Sequence, residues 1–531
     1  MKTMNRYLLL FLMVAACCLT GCEDNEEEIK KPDIVIPGGE DNEEYVTDDT
    51  AYGNFFGFNV MNDVYLWKGE IEEGLQTWQL DDDPIEKTDE VRYKEGEKDI
   101  DKWSMMTTDY TALTSGTDGK GTTYGYGFKL YQYDDATVTA VVTHTYADSP
   151  ARQAGLQRGD LIVTVNGKTL PLENDAFVDI VYDELLNSST VQIGYLRNQE
   201  MKEATLTAVS MYEDPVLVNT VYDIDGKKVG YLAYTSFTLE SNARLIEVCQ
   251  EFKQAGVTEL ILDLRYNGGG YVITENLLAS MLAPENAVKN KELYQTEVWN
   301  NEYMEYYQKN GVDLNTYFQT EYNYTDFNGV EHSLSTADAN IGLNKIYALV
   351  TSSSASASES ILVGLLPFGM PNIEIIGEQT HGKYCTGQMI SAKEWMEDTG
   401  ALYDQLQTTY PEAYESWKPW SRFEKYMKTD WGIYVMINRY ADRNGNNPCM
   451  PDGLTPDLEV KDEPFRSEQL GDENETMLKA ALTRAGKIYP AEGRSIDAPV
   501  LHDALRKQPH DKYFGMRIDN RHKIKPLPRL K

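Results

Sequence analysis

The residues best suited to chemistry lie between Ser354 and Lys383. A run of small residues, Ser354-Ala355-Ser356-Ala357-Ser358-Glu359, follows the apolar segment Ile346 to Val350; Gly382-Lys383 follows a second apolar run, Ile373 to Ile376. A serine hydroxyl is a weak nucleophile until a base stands beside it. A lysine can be that base once desolvation disfavours its ammonium form. Apolar runs of roughly four to eight residues are the length of buried strands, and Ile361, Leu362, Leu365 and Leu366 then recur at helical spacing. The serines therefore stand where a strand turns into a helix, and such a turn points unpaired backbone N–H groups outward. A lysine at the end of the next strand comes alongside. Taken alone, the segment fits better a Ser-rich turn that caps a helix, with a surface lysine nearby.

The elements upstream repeat this geometry. Val229 to Tyr234 and Glu259 to Arg265 are strand-like, with a helical segment, Asn242 to Gln254, between them. The second strand runs into Asn267-Gly268-Gly269-Gly270 and a helix, Ile273 to Leu282. Consecutive glycines let a backbone approach a ligand closely, and an N–H-rich helix start can hold an anion. The spacing is not that of a dinucleotide-binding loop. Trp431 to Tyr440 returns to a strand, Gly453-Leu454-Thr455-Pro456-Asp457-Leu458-Glu459-Val460 closes the domain, and Glu475 to Lys487 is a terminal helix.

Length and charge bound the function. The chain has 531 residues, 49 Lys and Arg against 85 Asp and Glu, and a net charge of -36. That length implies several units, and that charge argues against a nucleic-acid partner, which needs a basic footprint. Six histidines occur without HExxH or paired His spacing, so neither a metal nor another cofactor is expected. Lys2 and Arg6 precede an apolar run of about 13 residues, Tyr7 to Leu19, too short to span a bilayer and suited to a signal peptide. It ends in Leu19-Thr20-Gly21-Cys22, which resembles a bacterial lipobox and implies a lipid on Cys22. The acidic block Glu23 to Glu28 resembles the surface-export signal of Bacteroidetes-type lipoproteins, or is a solvated linker. Cys249, Cys385 and Cys449 remain in the mature chain and permit at most one bridge.

Residues 124–196 carry turn chemistry in a distinctive order. Tyr124-Gly125-Tyr126-Gly127-Phe128 precedes Ser149-Pro150-Ala151, Ala154-Gly155-Leu156, Gly159-Asp160 and the turn Asn166-Gly167, among strand-like runs at 137–143, 161–165 and 191–196. This order resembles a PDZ domain of the bacterial protease type. The resemblance implies that Gly125, Tyr126, Gly127 and Phe128 form a carboxylate-binding loop beside a strand edge able to accept a peptide; a PDZ-shaped spacer without ligand is the alternative.

The PDZ-like unit, the Leu262-Asp263-Leu264-Arg265-Tyr266-Asn267-Gly268-Gly269-Gly270 turn, the Ser354–Glu359 run, His381-Gly382-Lys383 and the closing Gly453–Val460 segment occur in one order. Together, over about residues 50–490, they resemble the C-terminal processing peptidases, or tail-specific proteases. The resemblance implies a multidomain α/β protein: a crotonase/ClpP-like α/β peptidase core, a PDZ-like β-rich domain and a small N-terminal helical domain. It implies a Ser–Lys dyad of Ser356 and Lys383, supported by Glu359 and by Gln388, which stands one position later than in the family pattern. Oxyanion donors would be the N–H groups of Ala357, Gly268 and Gly269. His381 replaces the usual aromatic residue before Gly-Lys and is expected to fill the same slot.

The expected organisation is a signal peptide at 1–21, an acidic tether at 22–50, a helical domain at 51–118, a PDZ-like domain at 119–209, a peptidase domain at 210–466 with insertions at 284–340 and 389–430, and a C-terminal helix and basic tail at 467–531. The expected partners are protein or peptide substrates with free C-termini, and the membrane through lipid on Cys22, with the chain anchored in the cell envelope at the outer membrane. Two other readings stand beside the peptidase. One is a peptide-binding lipoprotein without catalysis. The other is a carbohydrate binder built on aromatic residues such as Trp395, Tyr403, Trp417 and Trp420; those residues fit the core of a helical insertion better.

Overall fold

A computed structural model describes residues 48–171, 184–326, 329–409, 411, 427–490, 516–519, 524 and 526–527. The leader, Cys22, the tether up to residue 47, and Tyr410, Tyr414, Trp417 and Trp420 lie outside the described residues.

Helix α1 (Asp49–Asp63) begins at Asp48, whose carboxylate accepts from the Ala51 amide at 2.9 Å, satisfying a donor the helix cannot. Tyr52, Phe55, Phe56, Phe58, Val60 and Met61 are all buried, the pattern of a helix enclosed by other elements rather than lying on a surface. Strand β1 (Met105–Thr107) pairs with residues 432–434 far downstream. The expected separate helical domain at 51–118 is therefore corrected: its side chains and those of the α/β core form one continuous apolar cluster. Trp78 and Met106 of the same segment cover part of α1, and Trp431 from far downstream lies against it at Gly53.

Strands β2 (Tyr126–Gln132), β3 (Val138–Thr145), β4 (Leu161–Val165), β5 (Thr190–Arg197) and β6 (Glu200–Thr207) form an antiparallel sheet in the order β6-β5-β4-β3-β2. Asn166 and Gly167 both have positive φ, 49° and 79°, as a two-residue hairpin turn requires. This unit has its own core, with Leu130, Val138, Ala140, Val142, Ile162 and Ile193 buried together.

The α/β core follows. Its first half contains β7 (Val216–Ile224), β8 (Lys227–Tyr234), α2 (Ser241–Gln254), β9 (Val257–Asp263), β10 (Gly270–Tyr271), α3 (Val272–Leu282) and β11 (Leu293–Trp299). Next come β12 (Lys345–Val350), α4 (Ala357–Leu365), β13 (Asn372–Gly377), β14 (Cys385–Ser391) and α5 (Ala392–Leu406). The last elements are β15 (Gly432–Asp442), β16 (Leu458–Glu459), α6 (Thr476–Arg484) and β17 (Arg517–Ile518).

One sheet has the order β7-β8-β9-β12-β13-β16, parallel from β8 onward. Its two faces are both covered. Leu260, Leu262, Ile346 and Ala348 pack towards α2, α3 and α4, while Ile261, Tyr347, Leu349 and Ile376 meet Met477, Leu478, Ala481 and Leu482 of α6. Burial on both faces is why these strands read as unbroken apolar runs. The second sheet runs β10-β17-β14-β15-β11, with β1 also on β15.

Two expectations about insertions change here. Residues 284–340 supply β11, whose Tyr294 and Gln295 are buried in the core, so the segment is partly framework. The segment at 389–430 begins as the end of β14, and Trp395 and Tyr403 of α5 are buried in the main core rather than displayed. Because α1 shares its core with the peptidase-like sheets, Phe55→Ala should lower the stability of that whole unit by about 3–5 kcal/mol. Denaturant unfolding should show one shifted transition; an unshifted transition of the α/β core would separate the two.

Candidate active site

Parallel β9, β12 and β13 end at the same edge of their sheet, so the turns that follow them meet. Those turns are Leu264–Gly269, Thr351–Ser356 and Glu378–Lys383. Hydrogen bonds lock the first two together. Ser354 Oγ donates to the Leu264 carbonyl at 2.7 Å, Thr351 Oγ1 to the Arg265 carbonyl, the Ala355 amide to the Asn267 carbonyl at 3.1 Å, and Ser358 Oγ to the same carbonyl at 2.9 Å. Two of the three serines thus have structural partners. The buried hydroxyl of Ser356 has no hydrogen-bond partner among the described residues. Ser356 also has φ 66° and ψ -113°, a conformation that a non-glycine residue holds only when its surroundings impose it.

Glu359 imposes much of it. The carboxylate is fully buried and accepts from the amides of Ser356 (2.8 Å), Gly382 (2.7 Å) and Lys383 (2.9 Å) and from Thr380 Oγ1 (2.5 Å), and the Cys449 thiol also hydrogen-bonds to it. It ties the serine turn to the lysine turn through backbone, so it is a positioning residue. Burial raises its pKa, and the hydrogen bonds from Thr380, Gly382 and Ser356 oppose that rise.

Lys383 is buried completely. Its Nζ donates to Tyr434 Oη at 2.9 Å and lies 5.0 Å from the ring centroids of both Tyr434 and Trp103. Desolvation lowers its pKa from 10.5 to about 8, so roughly a tenth is neutral at pH 7. No hydrogen bond joins Lys383 to Ser356 in this structure. Trp103 and Tyr434 escaped the sequence reading because they come from segments distant in sequence. His381 packs edge-on to Trp103, with ring centroids 6.2 Å apart, the aromatic slot expected for it.

The Gly-rich turn requires a correction. The Gly269 amide donates to Asn267 Oδ1 at 2.9 Å, so it is turned inward and is not available as an oxyanion donor. The amides of Gly268 and Ala357 make no such bond among the described residues. Gly269 (φ 116°) still has to be glycine, since a Cβ there would lie 2.7 Å from both Ser356 Cβ and the Met516 carbonyl oxygen. Gln388 Nε2 donates to the Asp519 carbonyl, just past β17, at 3.4 Å.

In the PDZ-like unit, β2 is an edge strand. The Gly125 amide is taken by Thr123 Oγ1 at 3.0 Å, and Tyr126 is buried with its hydroxyl on the Leu185 carbonyl at 3.3 Å. The expected loop therefore offers fewer free N–H groups than four consecutive residues would. Residues 172–183 lie outside the described residues. Cys249, Cys385 and Cys449 are free thiols, so the bridge left open by the sequence is not formed.

A buried ion network joins these parts. Arg265, at the start of the Gly-rich turn, pairs with Asp263 (2.8 Å), Glu475 (2.6 Å) and Asp462 (3.3 Å). Arg158 of the PDZ-like unit pairs with the same Asp462 (2.9 Å) and Glu475 (3.2 Å) and donates to Tyr266 Oη. Tyr266 Oη in turn donates to Asp462 at 2.6 Å. Burial by itself would raise the Asp462 and Glu475 pKa values; the guanidiniums of Arg158 and Arg265 outweigh it and hold both below their ordinary 3.8 and 4.5.

The comparisons with known proteins agree with this architecture. Residues 228–460 match the model of peptidase family S41, and residues 141–185 match a PDZ domain. The chain thus carries an S41 peptidase domain together with a PDZ domain. Among curated relatives, a carboxyl-terminal-processing protease of Picosynechococcus is 27% identical over 168 residues, covering 30% of this chain and 38% of that protein. A chloroplastic C-terminal processing peptidase of Tetradesmus obliquus is 30% identical over 175 residues, covering 30% of this chain and 36% of that protein. The chain thus spans little more than a third of the length of these relatives. A crystal structure from Bacteroides fragilis assigned to the S41 proteases covers 81% of this chain and 96% of its own, with 21% identity and a TM-score of 0.53, a likeness of fold.

Removing one member of the buried network leaves charges without partners. Arg265→Met should cost about 3–5 kcal/mol at pH 7. The depressed carboxyls contribute stability above their ordinary pKa values and lose it as pH falls through their folded values. The gap between wild type and variant, read by denaturant unfolding, should therefore narrow below about pH 4; a pH-independent gap would contradict the ionic origin.

Proposed function

We propose that this chain is a serine endopeptidase that cleaves protein or peptide substrates near their C-terminal tails, with Ser356 as nucleophile and Lys383 as general base. The observation that carries the reading is the buried lysine of depressed pKa within the S41 domain, tied by the single carboxylate of Glu359 to a strained serine whose buried hydroxyl has no hydrogen-bond partner among the described residues.

In this reading, substrate binding draws Lys383 Nζ from Tyr434 towards Ser356. Neutral Lys383 takes the hydroxyl proton as Ser356 Oγ attacks the carbonyl carbon. The amides of Gly268 and Ala357 hold the oxyanion, each donor contributing about 3 kcal/mol. Collapse breaks the C–N bond, and Lys383 returns its proton to the leaving amine. Water, deprotonated by the same lysine, then releases the acyl group and regenerates Ser356. The PDZ domain collects substrate tails ending in a free carboxylate. A lipid on Cys22 would hold the enzyme at the outer membrane of the cell envelope, on its periplasmic face or at the cell surface.

The absent Ser356–Lys383 hydrogen bond favours a second reading, a peptide-binding lipoprotein without turnover; covalent labelling of Ser356 by a fluorophosphonate would reject it. For the peptidase, Ser356→Ala and Lys383→Ala should each lower kcat by about 10⁴-fold or more on a peptide with an apolar C-terminus. Activity should rise with pH through about 8, because the base is productive only after losing its proton. Equal cleavage by wild type and Ser356→Ala would sink the reading. Palmitate incorporation lost on Cys22→Ser would test the anchor.

A further inference from the structure

The tail contributes a segment that the S41 match does not include. Residues 516–519 lie beyond 228–460, yet all four are buried at the candidate active site. Their backbone is held as a peptide strand would be. The Gly270 amide, two residues beyond the candidate donor Gly268, donates to the Met516 carbonyl at 2.7 Å. The Asp519 amide donates to the Gly387 carbonyl at 3.0 Å. The Arg517 amide and carbonyl both meet the Tyr434 hydroxyl, at 3.0 Å and 2.9 Å, and this is the hydroxyl that holds Lys383. Met516 and Ile518 line a cavity of about 180 Å³ that opens beside Gly268, Gly269 and Tyr146 of the PDZ domain. Pairing is short: two residues on β10 and one on β14.

The side chain of Arg517 fills a complete guanidinium site. Nε lies 2.9 Å from Glu275 and one terminal nitrogen 3.1 Å from Gln295 Oε1; the other donates to Thr386 Oγ1, and the ring of Tyr440 lies 4.6 Å from Cζ. Those partners come from α3, β11, β14 and β15, elements that surround the catalytic turns. Glu275 is fully buried and is further held by Tyr294, Gln295 and Ser360. A buried carboxylate without a cation is costly, so the site demands an arginine from whichever strand lies in the cleft.

We infer that the cleft between Gly270 and Gly387 is a peptide-strand site with an arginine-recognising subsite built on Glu275, Gln295, Thr386 and Tyr440, and that the chain's own Met516–Asp519 occupies it and shuts the candidate active site. An added strand takes its affinity from main-chain hydrogen bonds and its specificity from side-chain pockets, and both are present here. An arginine-bearing peptide is the substrate or regulator that displaces the tail. The inference rests on the peptidase reading above.

The test is the rate at which a fluorophosphonate labels Ser356 in the full chain. Arg517→Ala should be labelled at least about ten-fold faster than wild type, and a synthetic peptide of residues 513–521 should slow it again, whereas the same peptide with alanine for arginine at 517 should not. The opened cleft should cleave arginine-bearing peptides about ten-fold better than their alanine counterparts. If Arg517→Ala does not fold, Asp519→Pro removes the amide that meets Gly387 while leaving Arg517 in place, and should still speed labelling. Labelling of a folded variant at or below the wild-type rate, or acceleration by the added peptide, would overturn the inference and make the tail a completing strand. Labelling that persists in Ser356→Ala would instead overturn the peptidase reading itself.

Discussion

The carboxylate of Glu359 is the constraint on which the candidate site depends. Ser356 and Lys383 belong to loops after different strands, and no hydrogen bond joins their side chains in this structure. What relates them is a buried oxygen pair that accepts the Ser356 amide on one side and the Gly382 and Lys383 amides on the other. A carboxylate removed from water has to collect several donors to remain charged, and the geometry that satisfies it is the geometry that sets the two turns at a fixed separation. The strain at Ser356 follows: its positive φ is held because relaxing it would withdraw an amide from a buried carboxylate.

A second buried network works at a larger scale. Arg265 and Arg158 share Asp462 and Glu475, so the Gly-rich turn, the PDZ domain and the closing helix α6 meet at two carboxylates. Such a cluster contributes little net stability over an apolar replacement, but losing one partner is expensive. Its consequence is relative placement: Tyr266, next to Arg265 and two residues before Gly268, bonds to Arg158 of the PDZ domain. The environment of Lys383 is assembled in the same long-range manner, from Trp103 near the start of the described chain, Tyr434 of β15, and the tail that presses Arg517 against Tyr434. The lysine pKa is low because three remote segments exclude water together.

Much of this was legible in the residues. The parallel strands are apolar on both faces, so Ile346–Val350 and Ile373–Ile376 stand out from their surroundings, and the turns between strands and helices carry glycine and serine for reasons that are local. Turn chemistry also identified the PDZ domain, because Ser149-Pro150 and Asn166-Gly167 form their motifs from adjacent residues. The roles of Gly269 and Gln388 depend on which way a backbone amide or a side chain turns. That is decided by Asn267 in one case and by Asp519 in the other. The helical segment at 51–118 reads as its own unit because helical periodicity is local, whereas α1 is buried partly by its own segment, as at Trp78 and Met106, and partly by residues as distant as Trp431.

The sequence by itself therefore determined the order of the domains, the strand-turn-helix units and the residue types at each turn, since these follow from periodicity and backbone preference over a few positions. The family resemblance singled out Ser356 among three serines; only the tertiary structure gave the physical reason, by giving Ser354 and Ser358 carbonyl partners and leaving the Ser356 hydroxyl none among the described residues. Only the tertiary structure removed Lys383 from water and brought Arg517 to Glu275. Burial and ion pairing are properties of surroundings, and here the surroundings are drawn from both ends of the described chain.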